Sequence, residues 1–136
     1  MAAYAAGFVV EEMEYNGDTS TAASSDMEYV THIATNMVRE WGMADIEELG
    51  FRKYKKLEGT ISSGTEYSAH TEALIESEIN KLTLEARALA RKILEDNREK
   101  FLYLVERLLE EESIFGDPLR EILENPVPEN WRKQNE

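Results

Sequence analysis

A long, regular spacing of apolar residues between Ser68 and Asp96 constrains the fold of this chain more than any other feature. Successive apolar positions lie alternately four and three residues apart, at Ile75, Ile79, Leu82, Ala86, Leu89 and Ile93. An α-helix completes one turn in about 3.6 residues, so this spacing aligns the apolar side chains along one face. The pattern predicts a helix over residues 68–96 that packs against a neighbouring element.

The longest apolar run of the chain lies near its start, from Ala2 to Val10. Together with the helix-forming residues that follow, it predicts a first, buried helix from Ala2 to about Tyr15, with a turn at Asn16 and Gly17 after it. No capping residue stands ahead of the run, which favours a sequence that begins inside an element. The run has about half the length that a membrane-spanning helix needs, so no transmembrane segment is predicted.

The segment SDME predicts the start of a second helix. In this capping box Ser25 accepts a hydrogen bond from the amide three residues on, while Glu28 reaches back to the amide of Ser25. Helical spacing then continues to a predicted end at Gly42. The predicted apolar face comprises Met27, Val30, Ala34, Met37, Val38 and Trp41.

Two shorter helices are predicted after the long one. Asn97 is the expected cap of a fourth helix, whose apolar side comprises Phe101, Leu104, Val105, Leu108 and Leu109. A fifth helix is expected to have Asp117 as its cap and Pro118 in its first position, and to stop before Asn125. Residues 126–136 are polar and contain proline, which predicts a loose tail.

Residues 42–67 lack helical periodicity and contain four glycines. They also hold FRKYKK, the only basic cluster of the chain. Two interpretations stay open: a functional surface that faces a substrate or partner, or a connector without a function. Apart from a short strand in the 50s, no strand is expected. The predicted fold is an all-α bundle of about five helices with this long irregular segment after the second helix.

Composition excludes several classes of function. The net charge of −13 disfavours nucleic acid as a partner, because the chain would repel its phosphates. The absence of cysteine rules out disulfides and thiolate zinc sites. The sequence has no glycine-rich phosphate-binding motif, so it shows no means of binding ATP by itself.

Two pairs, Glu28 with His32 and Glu66 with His70, are each four residues apart and would share a helix face. A di-iron helical bundle instead uses Glu and His at a spacing of three. Solvated polar faces are therefore the favoured interpretation, and a metal site built from both histidines is the alternative. Asp26 follows Ser25 in the first helical turn. There it complements the helix dipole, which is worth about 0.3–1 kcal/mol.

The stretch TAASSDMEYVTHIATNMVREWGM resembles a segment of FtsH-type ATP-dependent zinc metalloproteases, T-T-G-A-S-N-D-[LI] followed by a helix ending in N-M-V-x-x-[WY]-G-M. AGFVVEEMEY is similar to the G-G-R-x-A-E-E helix of that family, and TEALIESEINKLTLEARALARKILEDNREKFLYLVERLLEEESIFGDPLREIL is similar to its closing helices. The resemblance extends to about Leu123 and is weakest over residues 44–67.

The resemblance implies that residues 1–125 form the helical C-terminal part of a peptidase domain, followed by the tail. In this family the domain sits behind a membrane-anchored AAA+ ATPase module, and homo-hexameric rings degrade misfolded or unassembled proteins. The peptidase domain lies on the soluble side of the membrane, in the bacterial cytoplasm or an organelle matrix or stroma. Zinc is held by the two histidines of a His-Glu-x-x-His helix and by an aspartate, which Asp26 matches. Glu11 matches an acid of A-E-E and is expected to orient a ligand.

The sequence departs from the family because it contains no His-Glu-x-x-His. Phe8 stands where the family usually has arginine, and Ala22 stands where the approach to the aspartate usually has glycine, which puts the backbone path there in question. Two hypotheses follow. The chain is part of a protease whose histidines lie elsewhere, inactive alone and without stoichiometric zinc, or it is a degenerate relative with a structural or assembly role.

Overall fold

The computed structural model of this chain describes residues 1–15, 20–54 and 67–135. Within these ranges it contains six α-helices and two 3₁₀ turns and no strand, which confirms the predicted all-α class. The helices are α1 (Ala2–Glu14), α2 (Ser24–Arg39), α3 (Ala69–Asp96), α4 (Arg98–Glu111), α5 (Asp117–Glu124) and α6 (Glu129–Asn135). The predicted turn at Asn16 and Gly17, and Glu66 of the second acid–histidine pair, lie outside the described residues. The predicted short strand in the 50s lies partly outside them too, and residues 50–54, which are described, form no strand.

The chain divides into two compact units, Met1–Arg91 and Lys92–Glu136. In the first unit α1 packs against α2. Small or branched side chains are buried on both helices: Ala5 and Val9 on α1, and Val30, Ala34 and Val38 on α2. Met27 and Trp41, two further members of the predicted face, are about half exposed. Trp41 lies beyond the last residue of α2 and therefore does not continue its face.

The predicted capping box is wrong, because α2 is preceded by a 3₁₀ turn over Thr21–Ala23 that extends the helical path toward the N-terminus. Ser20 caps this turn, and its Oγ accepts a hydrogen bond from the Ala22 amide at 3.1 Å. Ser25 and Glu28 therefore both lie inside the helix. Asp26 remains in its first turn, as predicted.

The second helix ends close to its predicted boundary. Gly42 adopts a left-handed conformation with φ of 65°, a region that glycine enters without steric cost. This turn allows the Met43 amide to donate to the Met37 carbonyl at 2.8 Å. The glycine therefore ends the helical path, although the last regular residue is Arg39.

Part of the segment predicted to be irregular contributes to the core of the first unit. Leu49, at the end of the 3₁₀ turn Glu47–Leu49, and Tyr54 are buried together with Val38 and Ile75. The Tyr54 amide donates to the Arg39 carbonyl at 2.7 Å, and the Tyr54 hydroxyl donates to the Leu49 carbonyl. Leu49 and Tyr54 are therefore packed in a core with α2 and α3, although most residues between positions 43 and 54 stay exposed. The two interpretations of this segment's function remain predictions.

A buried carboxylate anchors the same segment to α3. Glu78 is 4% exposed and accepts a hydrogen bond from the Asp45 amide at 2.9 Å. Lys81 lies 3.5 Å from the Glu78 carboxylate and 2.8 Å from that of Asp45. These contacts satisfy the carboxylate, so its burial is tolerated.

The second unit contains the last residues of α3 together with α4, α5 and α6. Asn97 precedes α4 as predicted, but its side chain donates to the Ile93 carbonyl at 2.8 Å instead of capping α4. Gly116 occupies the cap position of α5, so Asp117 is its first helical residue, and the helix ends before Asn125 as predicted. Where a loose tail is predicted, the structure forms α6, because Trp131 packs edge-to-face on Tyr103 with centroids 5.6 Å apart.

Candidate functional site

Asp26 lies at a contact between α2 and α1. A Cβ atom built on Gly7 of α1 would stand 3.6 Å from Asp26 Oδ2, so the carboxylate rests against the α1 backbone. Asp26 is half-buried and has no hydrogen-bond or ion-pair partner among the residues that the structure describes. Its oxygens are therefore open to a further partner.

Glu11 supports the approach to Asp26 from one turn further along α1. Its carboxylate accepts hydrogen bonds from the Ser20 amide at 2.6 Å and from Ser20 Oγ at 2.9 Å. Ser20 in turn caps the 3₁₀ turn that leads directly into α2. From the family resemblance, Glu11 is expected to orient a metal ligand. In the structure Glu11 contacts Ser20, in the turn that leads to Asp26.

The two departures from the family pattern each have a structural account. Ala22 lies inside the 3₁₀ turn, where the backbone does not require positive φ, and the only described non-glycine residue with positive φ is Glu112. The ring of Phe8 lies 5.7 Å from the guanidinium of Arg87, a cation–π distance. The neighbouring Glu12 also binds Arg87 and accepts from Arg91 at 3.0 Å, which links α1 to α3.

The histidines do not join Asp26. His32 lies on the exposed side of α2, with its Nε2 3.0 Å from Asn36 Nδ2. His70 lies in the first turn of α3, and its predicted partner is outside the described residues. Within the described ranges, no three acidic or histidine side chains converge as a metal site would require.

Zinc sites in enzymes normally use three protein ligands plus water. Asp26 offers a single carboxylate, and the sequence supplies no His-Glu-x-x-His to complete the set. The residues of this chain therefore do not fit a complete zinc site. They fit at most one ligand position of a site whose other ligands lie elsewhere.

Two aromatic residues near Asp26, Tyr4 and Tyr29, were not predicted to lie at this contact. Tyr4 and Tyr29 stack with ring centroids 5.2 Å apart and an interplanar angle of 22°. Their pairing follows from the antiparallel register of α1 and α2, in which Gly7 meets Asp26 and the residues three positions away meet each other. No sequence signal fixes that register, so the pair could not have been predicted.

The contact between α1 and α2 thus holds one half-buried candidate ligand carboxylate, that of Asp26. A model of Peptidase family M41 matches residues 1–122, and the chain belongs to this family, which confirms the resemblance. Among the described residues, no helix has both the length and the apolar character needed to cross a bilayer.

Three relatives illustrate the extent of the match. The chain is 36% identical over 132 residues to the ATP-dependent zinc metalloprotease FtsH of Protochlamydia amoebophila, covering 92% of this chain and 14% of that protein. It is 37% identical over 123 residues to FtsH of Thermotoga maritima, covering 86% and 20%. It is 30% identical over 138 residues to the ATP-dependent zinc metalloprotease YME1 homolog of Caenorhabditis elegans, covering 96% and 19%. The chain thus spans between 14% and 20% of the length of these relatives.

Proposed function

We propose that this chain is the C-terminal part of the peptidase domain of an ATP-dependent zinc metalloprotease and that Asp26 is one zinc ligand of that parent enzyme. The observation that carries the proposal is the half-buried carboxylate of Asp26 against Gly7, within a region that the family model matches. The two histidine ligands and the ATPase module belong to parts of the parent outside this sequence. The isolated chain is accordingly inactive and holds no stoichiometric zinc.

Glu11 is proposed as a positioning residue for Asp26. Its two hydrogen bonds to Ser20 support this role, because Ser20 caps the turn that sets the start of α2. The family resemblance further supports a membrane-anchored homo-hexamer that degrades misfolded or unassembled proteins. In such a ring, the apolar side of α4 that stays exposed in this chain is proposed to pack between subunits.

The test uses the parent enzyme with Asp26→Ala. Loss of a residue that only orients a metal ligand costs roughly 10–100-fold in activity. We expect Asp26→Ala to lower the rate of casein hydrolysis by more than this, with ATP hydrolysis retained. Glu28→Ala is the matched control, since Glu28 is exposed on the same helix, and it should leave both activities near wild type. An unchanged proteolytic rate for Asp26→Ala would refute the ligand role.

The second candidate is a degenerate family member with a structural or assembly role and no catalysis. The absence of His-Glu-x-x-His from the sequence favours it. The coding sequence upstream of Met1 discriminates between the two: an in-frame His-Glu-x-x-His supports the protease, whereas a stop codon followed by an independent ribosome start supports the degenerate module. Stoichiometric zinc in the purified chain, measured by elemental analysis, would contradict both.

A further inference from the structure

The first helix, α1, makes side-chain contacts on two adjacent faces. Gly7 and Glu11, four residues apart, meet the start of α2, where Gly7 lies against the Asp26 carboxylate and Glu11 binds the turn that leads into the helix. Phe8 and Glu12 each follow one residue later and contact α3. Successive residues are turned by about 100° around a helix, so the two faces are fixed relative to each other. Contacts that set the rotation of α1 at α3 therefore also set the face that α1 presents to Asp26.

One arginine of α3 holds both residues of the second face. The Arg87 guanidinium lies 5.7 Å from the centroid of the Phe8 ring, and Arg87 Nε donates to the Glu12 carboxylate at 3.2 Å. A second arginine, Arg91, stands about one turn further along α3 and donates to the same carboxylate at 3.0 Å. Two cations four residues apart thus bind two side chains four residues apart on α1. This arrangement resists both rotation and sliding of α1 on α3.

The burial of Glu12 gives this contact a consequence for the neighbouring face. The side chain of Glu12 is only 14% exposed, whereas those of Arg87 and Arg91 are 44% and 39% exposed. A largely buried carboxylate that loses a cation carries a desolvation cost, which movement into water relieves. Loss of the cation therefore favours a rotation of α1 that brings Glu12 toward water and takes Gly7 and Glu11 away from the start of α2.

We propose that Arg87 is a positioning residue for Asp26. By holding Phe8 and Glu12, Arg87 sets the rotation of α1 and so the placement of the face that meets the start of α2. This deepens the proposed function, on which it rests for the role of Asp26 as a ligand. The positioning itself is a property of this chain and is measured without zinc.

The positioning is tested on the full chain, labelled with ¹⁵N and studied by NMR. Arg87→Met removes the cation and keeps a long side chain. We expect it to shift the amide resonances of Gly7, Ser20 and Asp26. It should also speed solvent exchange of the Ser20 amide, which donates to Glu11, about three- to tenfold, the equivalent of one ion pair and one cation–π contact. Arg87→Lys keeps a cation and should change both measurements less.

Lys81→Met is the matched control, because Lys81 is also an ion-paired cation of α3 but binds Asp45 and Glu78 instead of α1. It should leave the resonances of Gly7 and Asp26 and the exchange of the Ser20 amide unchanged, even where it lowers overall stability. Equal changes in Arg87→Met and Lys81→Met would show general loosening and overturn the positioning role. Unaltered Ser20 exchange in Arg87→Met would overturn it too.

The parent enzyme supplies a second measurement. Arg87→Met should lower kcat for casein hydrolysis by roughly tenfold with KM near wild type, because a displaced ligand slows the chemical step more than it weakens substrate binding. Lys81→Met should change neither constant, and a change in KM alone would contradict the positioning role. The two proposals fail separately. An unchanged proteolytic rate for Asp26→Ala refutes the ligand role, whereas the NMR comparison decides whether Arg87 positions Asp26.

Discussion

The two units of the chain differ in how far they bury apolar side chains. In the first unit, Met1–Arg91, side chains of α2, α3 and the segment between them form a buried core. In the second unit, Lys92–Glu136, α4 and α5 contain no buried residue. Among the residues of the second unit whose side chains the structure describes, Val127 is the buried one. The described contacts of this unit include the Tyr103–Trp131 ring pair and a hydrogen bond from Lys100 Nζ to the Leu123 carbonyl at 2.6 Å.

The contrast shows that apolar spacing predicts a helix more securely than it predicts burial. Both α3 and α4 form where their periodicity predicts them. On α3, Ile75 is fully buried, because α2 and the segment of residues 43–54 supply a partner surface. On α4, Leu108 is 46% exposed and Leu109 is 80% exposed. A stripe is buried only where the fold provides a surface to cover it.

The largest expected effect is the loss of a buried side chain from the first unit. Ile75→Ala removes a fully buried side chain and leaves a cavity, which should lower the free energy of unfolding by about 2–5 kcal/mol. The chain has two tryptophans, Trp41 in the first unit and Trp131 in the second. In a Trp131→Phe background, denaturant unfolding followed by Trp41 fluorescence therefore reports on the first unit.

The matched control is Leu109→Ala in a Trp41→Phe background, where Trp131 reports on the second unit. Because Leu109 is largely exposed, its truncation should change the free energy of unfolding by no more than about 0.5 kcal/mol. Comparable losses for Ile75→Ala and Leu109→Ala would break the distinction between the buried core of the first unit and the exposed apolar side of α4 in the second.

The sequence predicts the helices well because each depends on local spacing. Of the six residues in the long apolar stripe of α3, Ile75 and Ala86 are buried as expected and Ile79 and Leu82 are partly buried. Leu89 and Ile93, near the end of the stripe, are about half exposed. Leu49 and Tyr54 could not be identified as core residues, because their burial depends on a non-local contact between a glycine-rich segment and α3. The cap was misplaced because a 3₁₀ turn before α2 has no apolar periodicity of its own.

The candidate site was predictable in part, and only through resemblance. Helical spacing and charge would leave Asp26 as an ordinary first-turn acid, and the family motif identifies it as a ligand candidate. The contact of Asp26 with Gly7 and the stacking of Tyr4 on Tyr29 depend on how α1 and α2 are aligned. That alignment results from packing between residues about twenty positions apart in the chain, which periodicity does not encode.

A smaller effect is expected from Trp131, the aromatic contact that holds α6 in the second unit. Its ring packs on Tyr103, and its indole N–H donates to Glu106. Trp131→Ala should cost about 0.5–1.5 kcal/mol for the ring pair and increase amide exchange in α6, measured by NMR. Trp131→Phe keeps a ring and should cost less, and Trp41→Ala, in the first unit, should leave α6 unchanged. Unaltered exchange in α6 for Trp131→Ala would show that this helix does not depend on the aromatic contact.

The smallest effect concerns the ion pair of Asp45 and Lys81 in the first unit. The hydrogen bond from Lys81 holds the pKa of Asp45 below its ordinary value of 3.8, and the hydrogen bond to Asp45 raises the pKa of Lys81 above 10.5. The lowered pKa of Asp45 adds stability that is lost as pH falls through that pKa, and the raised pKa of Lys81 adds stability that is lost as pH rises through that pKa.

Lys81→Met and Asp45→Asn should therefore each be less stable than wild type near neutral pH. This difference in stability should shrink below pH 3.8 and above pH 10.5. It should also shrink in 1 M salt, where the screening length is about 3 Å. Urea unfolding across this pH range measures it, and a difference that stays constant with pH and salt would show that the pair adds no electrostatic stability to the first unit.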